Sequence, residues 1–108
     1  MPDENRKRAA HRALVTRILE GHGRASPAQR RAAFENGGLA EPLRTLVDEV
    51  ALRPTQVTDA DIAAAKASGL GEDQVFELVV CAAAGQATRQ YEAALEALAA
   101  AMGDDHAP

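Results

Sequence analysis

The sequence predicts an all-α single domain of five helices, closed by a long C-terminal helix. Apolar residues make up 46% of the chain and are nearly all Ala, Leu and Val, with two Phe, one Tyr and no Trp. That composition favours closely packed helices over a strand-rich sandwich. The apolar residues recur at helical spacing between Gly and Pro breaks. A length of 108 residues suits one domain. Alanine buries little area per residue, at about 25 cal/mol per Å², so self-association is an expected supplement to the core.

The first helix is predicted from about Glu4 to Glu20, with Leu14, Val15, Ile18 and Leu19 as its apolar stripe; it anchors a basic segment over residues 1–24. Gly21 and Gly23 end it. Ser26 caps a short second helix whose first position is Pro27, where the missing N–H costs nothing, and Asn36-Gly37-Gly38 stops it. Pro42 opens a third, carrying Leu43, Leu46, Val47 and Val50 inward, with Asp48 and Glu49 outward, until Arg53-Pro54. Thr58 and Asp61 form a capping box for a fourth helix, which runs to Ser68 and ends at Gly69.

The last helix is expected from about Gly71 to Met102, roughly 45 Å at 1.5 Å per residue, with Glu72 and Asp73 favouring its dipole. From Val75 to Ala87 it is apolar nearly all round, broken by Glu77, Gly85 and Gln86, which calls for several packing neighbours. From Tyr91 onward the apolar residues narrow to Tyr91, Leu95, Leu98 and Met102, a 4-3-4 seam for one partner helix in the same chain or another copy. A polar, frayed tail is expected over 103–108.

The net charge of -4 hides an asymmetry: residues 1–31 hold eight Lys or Arg against three acids, and residues 32–108 hold four against thirteen, for net charges of +5 and -9. The plain reading is a solvated basic helix face, the alternative a contact with an acidic surface. One cysteine excludes an internal disulfide framework, and with no signal-like opening a cytoplasmic location is expected. No apolar run reaches the ~18 residues of a membrane span. His11, His22 and His106 match no zinc spacing, and neither a metal nor a cofactor is expected. Gly21-His22-Gly23 reads as a helix end, not a phosphate loop.

Ala65, Gly69 and Val75 occupy the small, turn and apolar positions of a helix-turn-helix unit. Its would-be recognition helix opens with Glu72, Asp73 and Glu77, which repel phosphates, so nucleic acid is disfavoured as a partner. Cys81 and Glu77, one turn apart, are the candidate catalytic pair. An apolar setting makes Cys81 a packed thiol with a raised pKa, and a neighbouring carboxylate opposes the thiolate. Glu77 and Arg89 are charges on an apolar helix and each calls for a partner. They lie twelve residues apart, about 18 Å, and so cannot pair along one straight helix. Arg89, Gln86 and Tyr91 are candidates for ligand contact or packing.

Residues 46–98 resemble the C-terminal half of the carboxymuconolactone decarboxylase and alkylhydroperoxidase D superfamily. The likeness lies in the Val57-Thr58-Asp59-Ala60-Asp61 cap, Ala65-x-x-Ser68-Gly69-Leu70, the run from Asp73 to Val80, and Gly85, Arg89 and Ala93. It implies an all-α fold assembling through the long C-terminal helix. The redox members carry Cys-x-x-Cys with a histidine four residues later; here Ala84 and Thr88 stand at those positions. The expectation is therefore a non-catalytic or degenerate relative that self-associates and binds a small ligand or a partner enzyme. The alternatives are a thiol-dependent redox enzyme or decarboxylase with an intersubunit pocket, and a small helix-turn-helix-like regulator.

Overall fold

The computed structural model describes residues 2–105, with side chains for 5–103, and among these residues every regular element is helical. The elements are α1 (Pro2–Glu20), α2 (Pro27–Glu35), α3 (Leu43–Leu52), a 3-10 turn (Pro54–Gln56), α4 (Asp59–Ala67) and α5 (Glu72–Asp105). The 34-residue α5 sets the long axis of a molecule measuring 59 × 28 × 21 Å. It packs chiefly on α2 and α3, with α1 and α4 on its flanks.

The helix ends obey local chemistry. Ser26 is extended, and its hydroxyl accepts the Gln29 N–H at 3.1 Å. Asn36 closes α2 in the left-handed region at φ 53°, which a short polar side chain tolerates; its N–H and that of Gly37 return to Ala33 and Ala32. In the capping box, Asp61 N–H donates to Thr58 Oγ1 at 3.2 Å and Thr58 N–H to Asp61 Oδ2 at 3.0 Å. Gly69, at φ 105°, takes the chain out of α4 where a side chain would be strained.

Two buried groups form the core. Ala25, Ala33, Val47, Leu78, Cys81 and Ala82 make one, Leu46, Ala65 and Val75 the other, and Leu43, Val50 and Leu70 pack against both. Fully burying a residue such as Leu46 or Leu78 contributes about 1.5–3 kcal/mol. The small residues let helix axes approach closely. The extreme case is Gly85, where an added Cβ would collide with the Phe34 carbonyl and lie 2.9 Å from Phe34 Cα.

Several expectations need correction. The first helix begins at Pro2, two residues earlier than expected, and the last runs from Glu72 to Asp105. The tail expected to fray over 103–108 is helical as far as Asp105; the remainder lies outside the described residues. Leu14, assigned to the inward stripe of α1, is 54% exposed. Ile18 and Leu19 pack against the core and Val15 is half-buried, so the stripe is narrower than expected. Asp48 and Glu49 stay outside the buried core but are only partly exposed, the Asp48 side chain at 38%. Asp48 is drawn in by Asn36 Nδ2 at 3.1 Å and Arg53 Nη2 at 2.8 Å.

Gly85→Ala should lower stability by about 2 kcal/mol or more, a fall in Tm of roughly 8 °C or more by calorimetry. Gly103→Ala, on the same helix with nothing within 4 Å of the added Cβ, should leave Tm unchanged or slightly raised. Equal responses at the two positions would disprove the close crossing of α2 and α5.

Candidate functional site

The turn joining α1 to α2 carries backbone N–H groups on one side and carbonyls on the other, and each side meets a charge. From α5, the Glu77 carboxylate accepts Arg24 N–H at 2.8 and 3.0 Å and Ala25 N–H at 2.6 Å. From α2, the Arg30 guanidinium donates Nε to Ala25 O at 3.1 Å and Nη1 to Gly21 O at 2.7 Å and Ile18 O at 3.3 Å. Arg30 is only 6% exposed, and its partners include carbonyls that the end of α1 leaves open. Gly23 permits the approach, because a Cβ there would lie 2.8 Å from Glu77 Oε1.

Partial burial raises the Glu77 pKa, but the N–H groups of Ala25 and Arg24, then the charges of Arg30 and Arg24, outweigh it and hold the carboxyl below its ordinary value. Cys81 lies one turn after Glu77 and is 1% exposed, its Sγ 4.0 Å from Ile18 O. Burial pushes its thiol pKa up; the Arg30 charge opposes this and the Glu77 charge adds to it. Glu77, Cys81 and Arg30 share a cavity of about 180 Å³ with Ile18, Phe76 and Val80. Chemically this is a carboxylate already committed to three donor contacts beside a thiol held protonated.

The structure places the other candidates apart from that cavity. Arg89 donates Nη1 to Phe34 O at 2.7 Å and Nη2 to Gln86 Oε1 at 3.1 Å, closing the last turn of α2 against α5. Gly85 and Arg89 thus act as a pair: one admits the Phe34 carbonyl, the other hydrogen-bonds it. Tyr91 lies with its ring 5.6 Å from that of His11. Thr88 Oγ1 donates to Ala84 O at 2.8 Å, so it accepts from His11 Nε2 at 3.1 Å. Tyr91, His11, Arg8, Arg12 and Glu92 edge a second cavity of about 430 Å³ between α1 and α5.

Sequence reasoning missed Arg30, Gly23 and His11. Arg30 sat in a basic segment assigned to solvent, which its burial overturns for that residue. Its signal was spacing: Arg30, Ala33 and Phe34 fall at i, i+3 and i+4 on the face of α2 that packs inward. Among the described residues no cluster of three or more His, Cys, Asp or Glu could hold a metal, and no helix is long and apolar enough to cross a membrane.

A group whose folded pKa is depressed contributes stability above its unfolded pKa, and that contribution is lost as pH falls through the folded value. Wild type should therefore exceed Glu77→Gln in stability at pH 7 by about 1–2 kcal/mol, less than a fully buried charge-assisted network because the carboxylate is half-exposed. Urea unfolding should show the gap closing as pH drops below 4.5, the ordinary glutamate value, toward pH 3. A gap independent of pH would mean that shape, not charge, holds the turn. Comparison of the chain with protein-family models, curated proteins and solved structures finds no match.

Proposed function

We propose that this chain is a non-catalytic, degenerate relative of the carboxymuconolactone decarboxylase and alkylhydroperoxidase D superfamily, a helical protein that self-associates through α5 and binds a small ligand or a partner enzyme. The observation that carries the reading is the commitment of its reactive side chains to packing. Glu77 is bonded to the turn at Arg24 and Ala25, Arg89 to the end of α2, and Cys81 is buried with its thiol pKa raised. A general base needs a free lone pair and a pKa near the working pH, and a thiol nucleophile needs its thiolate. These groups meet neither condition.

Two features support binding in place of catalysis. The cavity edged by Tyr91, His11, Arg8 and Arg12 has a volume of about 430 Å³, within the usual range for small-molecule sites, and combines an aromatic wall with the charges of Arg8, Arg12, Glu92 and Glu96. The second half of α5 leaves Tyr91, Leu98 and Met102 between 40% and 56% exposed, an apolar face suited to a protein surface. One observation favours a thiol enzyme as the second reading: Cys81 borders a cavity that Arg30 and Glu77 also line.

Alkylation of native Cys81 across pH separates the two. The non-catalytic reading expects negligible labelling below pH 8 and complete labelling after denaturation. Rapid native labelling with an apparent pKa below about 7 would overturn it in favour of the thiol enzyme.

A further inference from the structure

The Arg30 guanidinium has five N–H donors, and the turn between α1 and α2 uses three of them. Nε donates to Ala25 O, and Nη1 donates to both Gly21 O and Ile18 O. The two N–H groups of Nη2 have no hydrogen-bond partner among the described residues, and no carboxylate there forms an ion pair with Arg30. Arg30 is nevertheless more than nine-tenths buried. Every enclosed side-chain nitrogen and oxygen among the described residues has a partner, so Nη2 is not enclosed. It opens into the cavity of about 180 Å³ that Arg30 lines between the end of α1 and α5. A cation so far from water loses solvation that carbonyl dipoles return only in part.

We infer that this cavity binds a small monocarboxylate, a short-chain acid whose carboxylate accepts from Arg30 Nη2 and whose apolar tail lies against Ile18, Val80 and Phe76. It rests on the small-ligand binding proposed above and names the ligand's class, in a cavity separate from the one at Tyr91. Charge sets the head group. Arg17 and Arg30 bring two positive charges to the lining and Glu77 one negative charge, so with His22 neutral the site carries +1. A single negative charge balances it, whereas a dianion meets repulsion from Glu77. Glu77 does not compete for Nη2, because its oxygens accept the N–H groups of Arg24 and Ala25. Exposed Arg17 and His22 form the outer rim, and buried Arg30 and Cys81 the inner wall.

Volume sets the tail. Drug-sized ligands take about 300 Å³ or more, so the occupant here is smaller. At about 30 Å³ for each water-sized group the cavity holds roughly six, which are the three atoms of a carboxylate and about three further carbons. Ile18, Val80 and Phe76 offer the tail apolar contact and no hydrogen bonds, so a hydrated inorganic anion gains nothing from them. The Cys81 thiol, held protonated by its burial and by the Glu77 charge, adds no negative charge to repel the head group. The carboxylate completes the guanidinium with charge-assisted bonds to the one nitrogen that the turn leaves free.

Titration with butanoate at pH 7 and constant ionic strength, followed by NMR of the backbone amides and the arginine Nε–H groups, tests the site. The Arg30 Nε–H is buried and bonded to Ala25 O, so it reports from beside the head group. Butanoate should move this signal and the Val80 amide saturably, with a Kd of about 1 mM or tighter. Butanamide, of the same size without the charge, should bind at least about tenfold more weakly. Replacing Arg30 would also release the turn, so the variants are placed elsewhere. Val80→Phe, which fills the cavity, should weaken butanoate binding about tenfold or more while the Arg30 Nε–H signal is retained. Arg17→Glu, at the exposed rim, turns the lining from +1 to -1 and should weaken it by a similar factor. The inference is overturned by the absence of a saturable shift up to about 20 mM butanoate, or by phosphate or butanamide binding as tightly. Undiminished binding by Val80→Phe would place the acid elsewhere and overturn it too. Each of these failures leaves the non-catalytic reading standing, since Cys81 alkylation without ligand decides that reading.

Discussion

The structure depends on the two-sided hold on the turn between α1 and α2. A chain leaving a helix must dispose of unpaired carbonyls, and the turn that follows has N–H groups of its own to pair. Here the acceptors at Ile18, Gly21 and Ala25 and the donors at Arg24 and Ala25 fall within eight residues and are met by opposite charges from different helices. Glu77 takes the donors and Arg30 the acceptors. Each bond is charge-assisted, and together they fix three elements relative to one another, since Arg30 belongs to α2, Glu77 to α5 and the Ile18 and Gly21 carbonyls to the end of α1. Neither charge needs the other as a direct partner: the backbone between them supplies what each lacks.

The crossing of α2 and α5 obeys the same logic with different parts. The Phe34 carbonyl lies in the last turn of α2, where the helix leaves acceptors open. Gly85 removes the side chain that would keep it away, and Arg89, one turn later on the same face, donates to it. A core built of Ala25, Ala33 and Ala82 has little area to bury, so close axial approach and backbone recognition must compensate for missing bulk. That is a reason for an alanine-rich chain to turn charges such as Arg30, Glu77 and Arg89 to main-chain contacts.

The helix boundaries were legible because their causes are local. Ser26-Pro27, Thr58 with Asp61, Asn36 and Gly69 act within four residues of themselves, and the spacing of Leu43, Leu46, Val47 and Val50 marks an inward face without any knowledge of the neighbour. The 3-10 turn at Pro54–Gln56 was hidden because Arg53-Pro54 signals an end to α3 without specifying the conformation of the next residues. Of the site, the need for partners at Glu77 and Arg89 was readable from charge on an apolar helix. Their identity was not, because the Glu77 partners are 52 and 53 residues away and are backbone atoms, which carry no sequence signal. Arg30 was obscured by its basic surroundings: composition assigns a cluster to solvent, while burial is decided residue by residue.

The same bonds that make Glu77 useful to the fold set the terms on which it could do chemistry. Acting as a proton acceptor would place a proton on an oxygen that already receives one or two N–H bonds, and the donors at Arg24 and Ala25 would lose their charged acceptor. Proton uptake is thereby coupled to loosening of the α1–α2 turn, and Arg30, which holds the other side of that turn, would share the loss. Cys81 is bound to the same balance, since the carboxylate beside it raises the cost of the thiolate while Arg30 lowers it. A catalytic carboxylate needs to gain and lose a proton with its surroundings unchanged. In this chain the surroundings are the fold itself, so the arrangement favours permanence at the turn over proton transfer.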